Sequence, residues 1–226
     1  MYKGKCTVII PAHNEESAIA NCCVQLSASP RVAQLIVVAN ACSDMTASHA
    51  RASGALTIET PQKGKGLAVK MGLKRATEEV VVLVDGDLKN PSATIVESLL
   101  QGLTSEKVVL VKGYFDRSAL PGPVTDMLVK PALKSTNHPA RHIRQPLSGM
   151  VALRRCYLEN SVLPNDFGLE LAMLLSAYEH GGKVTEVQLP KIEHRTRPWS
   201  HYENMALEVA KILVRFGVLQ KHKERE

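Results

Sequence analysis

The sequence predicts a doubly wound α/β fold, a mostly parallel sheet with helices on both faces, forming a single domain over residues 1–226. Two observations predict it. Short β-branched apolar runs alternate with helix-length segments through residues 1–104. The most apolar of these runs, Val80-Val81-Val82-Leu83-Val84, ends abruptly in Asp85-Gly86-Asp87. In open α/β sheets, ligands bind just beyond the carboxyl ends of strands.

The elements follow in order. Cys6 to Pro11 reads as a buried strand that Pro11 stops. A helix to about Leu26 follows the Ala12–Glu16 loop, with Glu15 and Glu16 in its first turn, where the macrodipole favours acids. Gln34 to Ala39 is a second strand, and Ser43 or Asp44 caps a helix to Ala52. Ala55 to Glu59 is a third strand, after which Pro61–Gly66 opens a helix through Arg75. Beyond the acidic pair, Asn90-Pro91 supplies a cap and a first-turn proline for a helix to about Leu103.

The second half is less regular. Val108 to Val111 is a strand, Pro121 to Leu133 a helix or broken helix, and Thr136 to Gln145 a basic loop. Pro146 to Leu153 returns as a strand beneath the sheet. Gly168 to His180 is a helix ended by Gly181-Gly182, and Val184 to Leu189 is a strand. A terminal helix from about His201 to Val218 carries an apolar stripe of Met205, Val209, Ile212 and Phe216. That stripe leaves a homodimer open.

Composition excludes several classes. No apolar run approaches the roughly 20 residues of a membrane span, and the first residues lead into a strand rather than a secretory segment. Five cysteines at no metal-binding or disulfide spacing point to reduced thiols in the cytoplasm. The net charge of +6 suits anionic ligands, but the basic residues are dispersed and no basic helix interleaves aromatics, so no nucleic acid is expected.

Strand alternation lets Asp85 and Asp87 point the same way, with Gly86 allowing the backbone to turn between them. Two acids so placed repel unless a cation sits between them, and hard divalent cations prefer oxygen ligands. A solvated Asp-Gly turn is the plain alternative. Lys63-Gly64-Lys65-Gly66 precedes a helix, so its N–H groups and lysines can meet a phosphate; it can equally be a solvated loop. It is not a Walker A loop, and no Gly-x-Gly-x-x-Gly follows the first strand, which weighs against a nucleotidyltransferase.

Pro11-Ala12-His13-Asn14-Glu15, the Gly-Lys-Gly loop and Asp85-Gly86-Asp87, in that order, resemble the nucleotide-sugar glycosyltransferases of the Rossmann-like GT-A fold. Six segments narrow the resemblance to the glucosyl-3-phosphoglycerate synthase family: Val84 to Pro91, Leu110 to Lys112, Val124 to Asp126, Gln145 to Gly149, Phe167 to Glu170 and Glu193 to Pro198. The resemblance implies a nucleotide-sugar half (1–104) and an acceptor half with the terminal helix (105–226). It implies a UDP- or GDP-glucose donor held by Pro11, Ala12, His13, Asn14, Glu15, Asn40, Lys65, Asp85 and Gly86. Asp87 and His194 would hold Mg²⁺ or Mn²⁺, and Asp87, Glu170 and Lys112 would be catalytic. Transfer to 3-phosphoglycerate or a similar small acid would retain anomeric configuration and need no strong protein nucleophile.

The sequence departs from the family where the acceptor binds. Pro123 replaces an arginine that meets the acceptor phosphate, so Val124 and Thr125 would be joined there by Arg144 and Arg197. Phe167 and Thr196 stand for a tyrosine and an asparagine, and Asn40-Ala41-Cys42-Ser43-Asp44 for a Ser-Gly-Ser-Thr-Asp type loop. A lone histidine such as His194 is commonly structural, and Glu170 also suits a helix N-terminus. Glycerate, a polyprenyl phosphate or a cell-wall glycan are alternative acceptors, although no membrane anchor is evident. A non-catalytic nucleotide-sugar-binding protein is the alternative from another class.

Overall fold

A computed structural model of the chain describes residues 2–116, 122–158, 161–193 and 199–220. The first half alternates strand and helix: β1 (Cys6–Ala12), α1 (Ile19–Ser27), β2 (Val32–Asn40), α2 (Thr46–Ala52), β3 (Leu56–Thr60), α3 (Lys65–Arg75), β4 (Val80–Leu83) and α4 (Ala93–Gln101). The second half contains β5 (Val108–Tyr114), a π-helical turn (Thr125–Val129), α5 (Lys130–Ser135), β6 (Val151–Arg154), α6 (Leu169–Glu179), β7 (Lys183–Gln188) and α7 (Trp199–Arg215). The seven strands form one sheet in the order β3-β2-β1-β4-β6-β5-β7. Only β6 runs antiparallel to its neighbours.

Strand alternation sorts the core into two layers. Ile9, Val81, Leu83, Leu110 and Leu153 face α3, α6 and α7, whereas Val8, Ile10, Val80, Val82 and Val84 face α1 and α4. Val80, Val81 and Val82 are fully buried, each contributing about 1.5–3 kcal/mol of apolar transfer. A strand covered on both faces needs such a continuous apolar run. The register also aims the next odd residue: Asp85 continues the Val81–Leu83 face toward α3 and α6.

Several boundaries differ from expectation for local reasons. Pro11 does not stop β1, because the β1–β4 ladder already ends at the Ile9–Leu83 pair. Helix α1 starts at Ile19, leaving Glu15 and Glu16 in the loop, where the Glu15 N–H donates to Thr46 Oγ1 and Glu16 Oε2 accepts from the Met45 N–H. Asp44 does serve α2, accepting from the N–H and hydroxyl of Thr46. Helix α4 starts after Ser92 because Asn90 is engaged elsewhere, donating to Lys191 O and accepting from the Glu193 N–H.

The segment expected beneath the sheet lies within it. β6 pairs with β4 through Val80–Arg154 and with β5 through Leu110–Leu153. All four of its residues are buried, so apolarity alone could not distinguish a position in the sheet from one below it. The apolar stripe of α7 is consumed internally: Val209, Ile212 and Leu213 pack into the core layer shared with α6. The homodimer expectation loses that support. Among the described residues, no helix is long and apolar enough to cross a membrane.

Candidate active site

The carboxyl ends of β1, β2 and β4 open into a cavity of about 660 Å³, closed opposite by the Gly122–Thr125 segment, the Leu147–Met150 segment, α6 and α7. Of the expected residues, Pro11, His13, Glu15, Asn40, Lys65, Asp85, Gly86, Asp87, Val124, Thr125 and Glu170 line it. Ala12 and Asn14 instead hold the framework around it: at the strand ends Ala12 O accepts from Asn40 Nδ2 at 2.8 Å, and in the loops Asn14 Oδ1 accepts from the Ser43 N–H at 2.9 Å. Asn14 has φ +56°, a left-handed conformation that asparagine tolerates better than most residues.

Asn40 braces the floor. Its buried amide also accepts from the Gly64 N–H at 3.1 Å, and its carbonyl lies 2.8 Å from His13 Nδ1. One side chain thus ties the ends of β1 and β2 to the start of α3. Gly64 has φ +155° and meets the other half of the chain: a Cβ there would lie 2.4 Å from Asn165 O. The neighbouring Leu67 N–H donates to the same carbonyl at 3.0 Å.

Lys65 forms the centre of the site. Its ammonium lies 2.7 Å from Asp85 Oδ1 and 2.5 Å from Glu170 Oε1, linking β4 to α6. Burial opposes its charge, but the two carboxylates outweigh that and hold its pKa above the ordinary lysine range. Gly149 sits against this pair: a Cβ would fall 2.6 Å from Asp85 Oδ1 and 2.7 Å from Lys65 Nζ. Glu170 is buried, and its Oε2 has no hydrogen-bond partner among the described residues. The N-terminal dipole reading of Glu170 is therefore incomplete, because the carboxylate also holds Lys65 and faces the cavity.

Lys112 lies behind the wall. It is fully buried on β5 and donates to Ser148 O at 2.7 Å, so it supports the segment carrying Gly149 rather than lining the cavity. Burial, aided by the Lys65 charge, lowers its pKa to about 8 against the attraction of Glu170. Arg144 also lies outside the main cavity. Its guanidinium covers the Tyr114 ring at 4.4 Å in a second cavity that shares Phe115 and Thr125 with the first. Sequence order gave no sign of this, because the Thr125 turn separates the two cavities only in space. His194 and Arg197 lie outside the described residues.

Helix α7 also contributes to the wall, beyond the residues expected from the sequence. His201, Tyr202, Asn204 and Glu208 line the cavity, and Glu208 Oε2 accepts from the Phe167 N–H at 3.0 Å. Burial raises the Glu208 pKa. Phe167 packs edge-on against His201 at 4.9 Å between centroids. The polar run His201-Tyr202-Glu203-Asn204 beside the apolar stripe was the available signal.

Residues 7–147, more than half of the chain, match the model for glycosyl transferase family 2. The chain belongs to that family. This glycosyltransferase is 29% identical over 235 residues to the glucosyl-3-phosphoglycerate synthase of Mycolicibacterium smegmatis, covering 94% of this chain and 78% of that one. It is also 29% identical over 238 residues to the synthase of Mycobacterium tuberculosis H37Rv, covering 94% and 74%. The crystal structure of the M. tuberculosis synthase with Mn²⁺, UDP-glucose and phosphoglyceric acid matches the glycosyltransferase with a TM-score of 0.90 at 28% identity, over 96% of this chain and 81% of that one. A complex of that synthase with Mg²⁺ and UDP matches with a TM-score of 0.88 at 28% identity, over 96% and 81%. The glycosyltransferase therefore has the GT-A fold.

Proposed function

We propose that this glycosyltransferase moves glucose from UDP-glucose, or GDP-glucose, to 3-phosphoglycerate or a similar small acid with retention of configuration. The observation that carries the reading is the Lys65 bridge: it joins the strand-end Asp85 of the donor half to Glu170 of the acceptor half inside one cavity. Similarity to the synthases over nearly the whole chain supports the choice of substrates.

The donor set is suited to a hard divalent cation. Asp87 supplies carboxylate oxygen at the cavity wall, and no group of three or more metal-ligating side chains occurs among the described residues. Such a site suits Mg²⁺ or Mn²⁺, which can take remaining ligands from phosphate and water. Asp87 would hold the ion, with His194 as the second protein ligand; when bound, it offsets the charge developing on the leaving diphosphate. Pro11, His13, Glu15 and Asn40 border the nucleoside. Lys65 fixes Asp85 and one oxygen of Glu170, leaving Glu170 Oε2 to accept from a substrate hydroxyl. Lys112 acts through the Ser148–Gly149 backbone. Val124 and Thr125 border the acceptor, Arg197, outside the described residues, would meet its anionic end, and Arg144 would meet only a part that passes Thr125.

Pro123 favours a second reading. It lines the cavity where the related family has an arginine, so glycerate is the competing acceptor. Nucleotide release is measured with UDP-glucose and GDP-glucose against both acids, with Mn²⁺, Mg²⁺ or excess chelator. Turnover requires the cation, and Asp87→Ala lowers it at least about a hundredfold without moving the melting midpoint, the loss of about 2.7 kcal/mol of transition-state stabilisation. Full activity in chelator overturns the metal assignment, and a preference for glycerate overturns 3-phosphoglycerate as the acceptor.

A further inference from the structure

We propose that the second cavity is an acceptor subsite for an uncharged, hydroxyl-bearing extension such as a hexosyl unit. This deepens the acceptor reading above and rests on it. The cavity encloses about 340 Å³, within the roughly 300–1,000 Å³ of small-molecule sites, and adjoins the main cavity at Phe115 and Thr125. An acceptor bordered by Val124 and Thr125 has this space beyond it.

The lining selects the chemistry. Lys130 and Arg144 are balanced by Asp116 and Asp126. Lys130 is paired with Asp126 at 2.8 Å, and Arg144 lies over Tyr114. Such a wall offers little net attraction to a phosphate, yet it presents many polar groups to hydroxyls.

Gln145 decides between them. It is 8% exposed and lines the cavity; its Nε2 donates to Phe115 O, while its buried Oε1 has no hydrogen-bond partner among the described residues. Buried amide oxygens are nearly always paired, so this one calls for an N–H or O–H donor. A phosphate dianion has no hydrogen to give, whereas a sugar hydroxyl does. Gln188 adds a second amide to the wall.

The test compares glycerate with 3-O-glucosylglycerate, which keeps the 2-hydroxyl free, by calorimetric titration of the protein loaded with UDP and Mg²⁺. The glucosylated acid should bind about tenfold more tightly, which is about 1.4 kcal/mol. Gln145→Met should abolish that preference and leave glycerate binding unchanged. Gln188→Trp should do the same by filling the cavity from an exposed position at the end of β7, and it carries the test if Gln145→Met fails to fold. Equal binding by the unmodified chain, or a preference that survives the cavity-filling substitution, overturns the proposal. Glucose transfer is scored separately: a preference in binding without nucleotide release for any acceptor supports the subsite and refutes the transfer reading.

Discussion

The two halves of the cavity are built by different means. On the β4 side, Asp85 takes its direction from the strand: parallel pairing with β1 fixes the strand, burial on both faces fixes its register, and alternation fixes the side-chain face. On the opposite side, the wall comes from a π-helical turn, an irregular segment held by a buried lysine, and the first turns of α6 and α7. A periodic element constrains its functional residues through the core, so little besides the core is needed to hold them. The irregular wall depends on particular contacts, and each can change without disturbing the sheet. Asp85-Gly86-Asp87 stands at the end of the periodic element, and Pro123 stands in the irregular wall.

The largest effect is expected where the halves meet. Lys65→Met leaves Asp85 and buried Glu170 without their shared cation, and removing one member of a buried ionic group costs about 3–5 kcal/mol. Urea unfolding should register a loss near the low end of that range, since Asp85 is partly exposed, and turnover should fall at least about a hundredfold. Unchanged stability would mean that the halves are joined by packing rather than by this bridge.

A smaller effect sharpens the contrast on the irregular side. Pro123→Arg should raise kcat/KM for 3-phosphoglycerate about tenfold and leave glycerate unchanged, because a charge-assisted hydrogen bond contributes roughly 1.5–3 kcal/mol. Equal effects on the two acids would remove position 123 from phosphate recognition.

The smallest effect concerns Lys112. Its pKa falls from the ordinary 10.5 to about 8 in the folded chain, so between these values the unfolded chain binds more protons. The burial penalty is present in full below that window, and stability rises with pH across it, by up to about 1.4 kcal/mol per unit. Lys112→Met lacks this rise. The difference in unfolding free energy between the two proteins, followed from pH 7 to 10, should therefore move in favour of the unmodified chain. A constant difference would contradict a weakened buried ammonium.

What was legible in the sequence follows the same division. The first four strands and the direction of Asp85 were readable because β-branched runs, turn residues and alternation are local signals. The in-sheet position of β6 was not, because a short apolar run fits any buried environment. Nor was the Lys65 bridge, whose partners are 20 residues away at Asp85 and, in the other half, on α6. Arg144 illustrates the converse: proximity in sequence to the Leu147–Met150 segment did not put it in the same cavity. The α7 wall was hidden because its cavity-lining residues share a helix with an apolar stripe that accounts for the helix without them.

The close approach of α3 to the Pro164–Asn165 turn has an engineering consequence. A Cβ at Gly66 would lie 2.3 Å from Pro164 O, and one at Gly64 2.4 Å from Asn165 O. The two glycines and this turn form one interlocking joint between the N-terminal and C-terminal parts of the chain. A chimera that exchanges the strand–helix region up to α4 between relatives must therefore carry the partner turn with it. Cutting the chain at the sequence midpoint would separate the joint, and a bulkier residue at either glycine would force α3 or the facing backbone to shift.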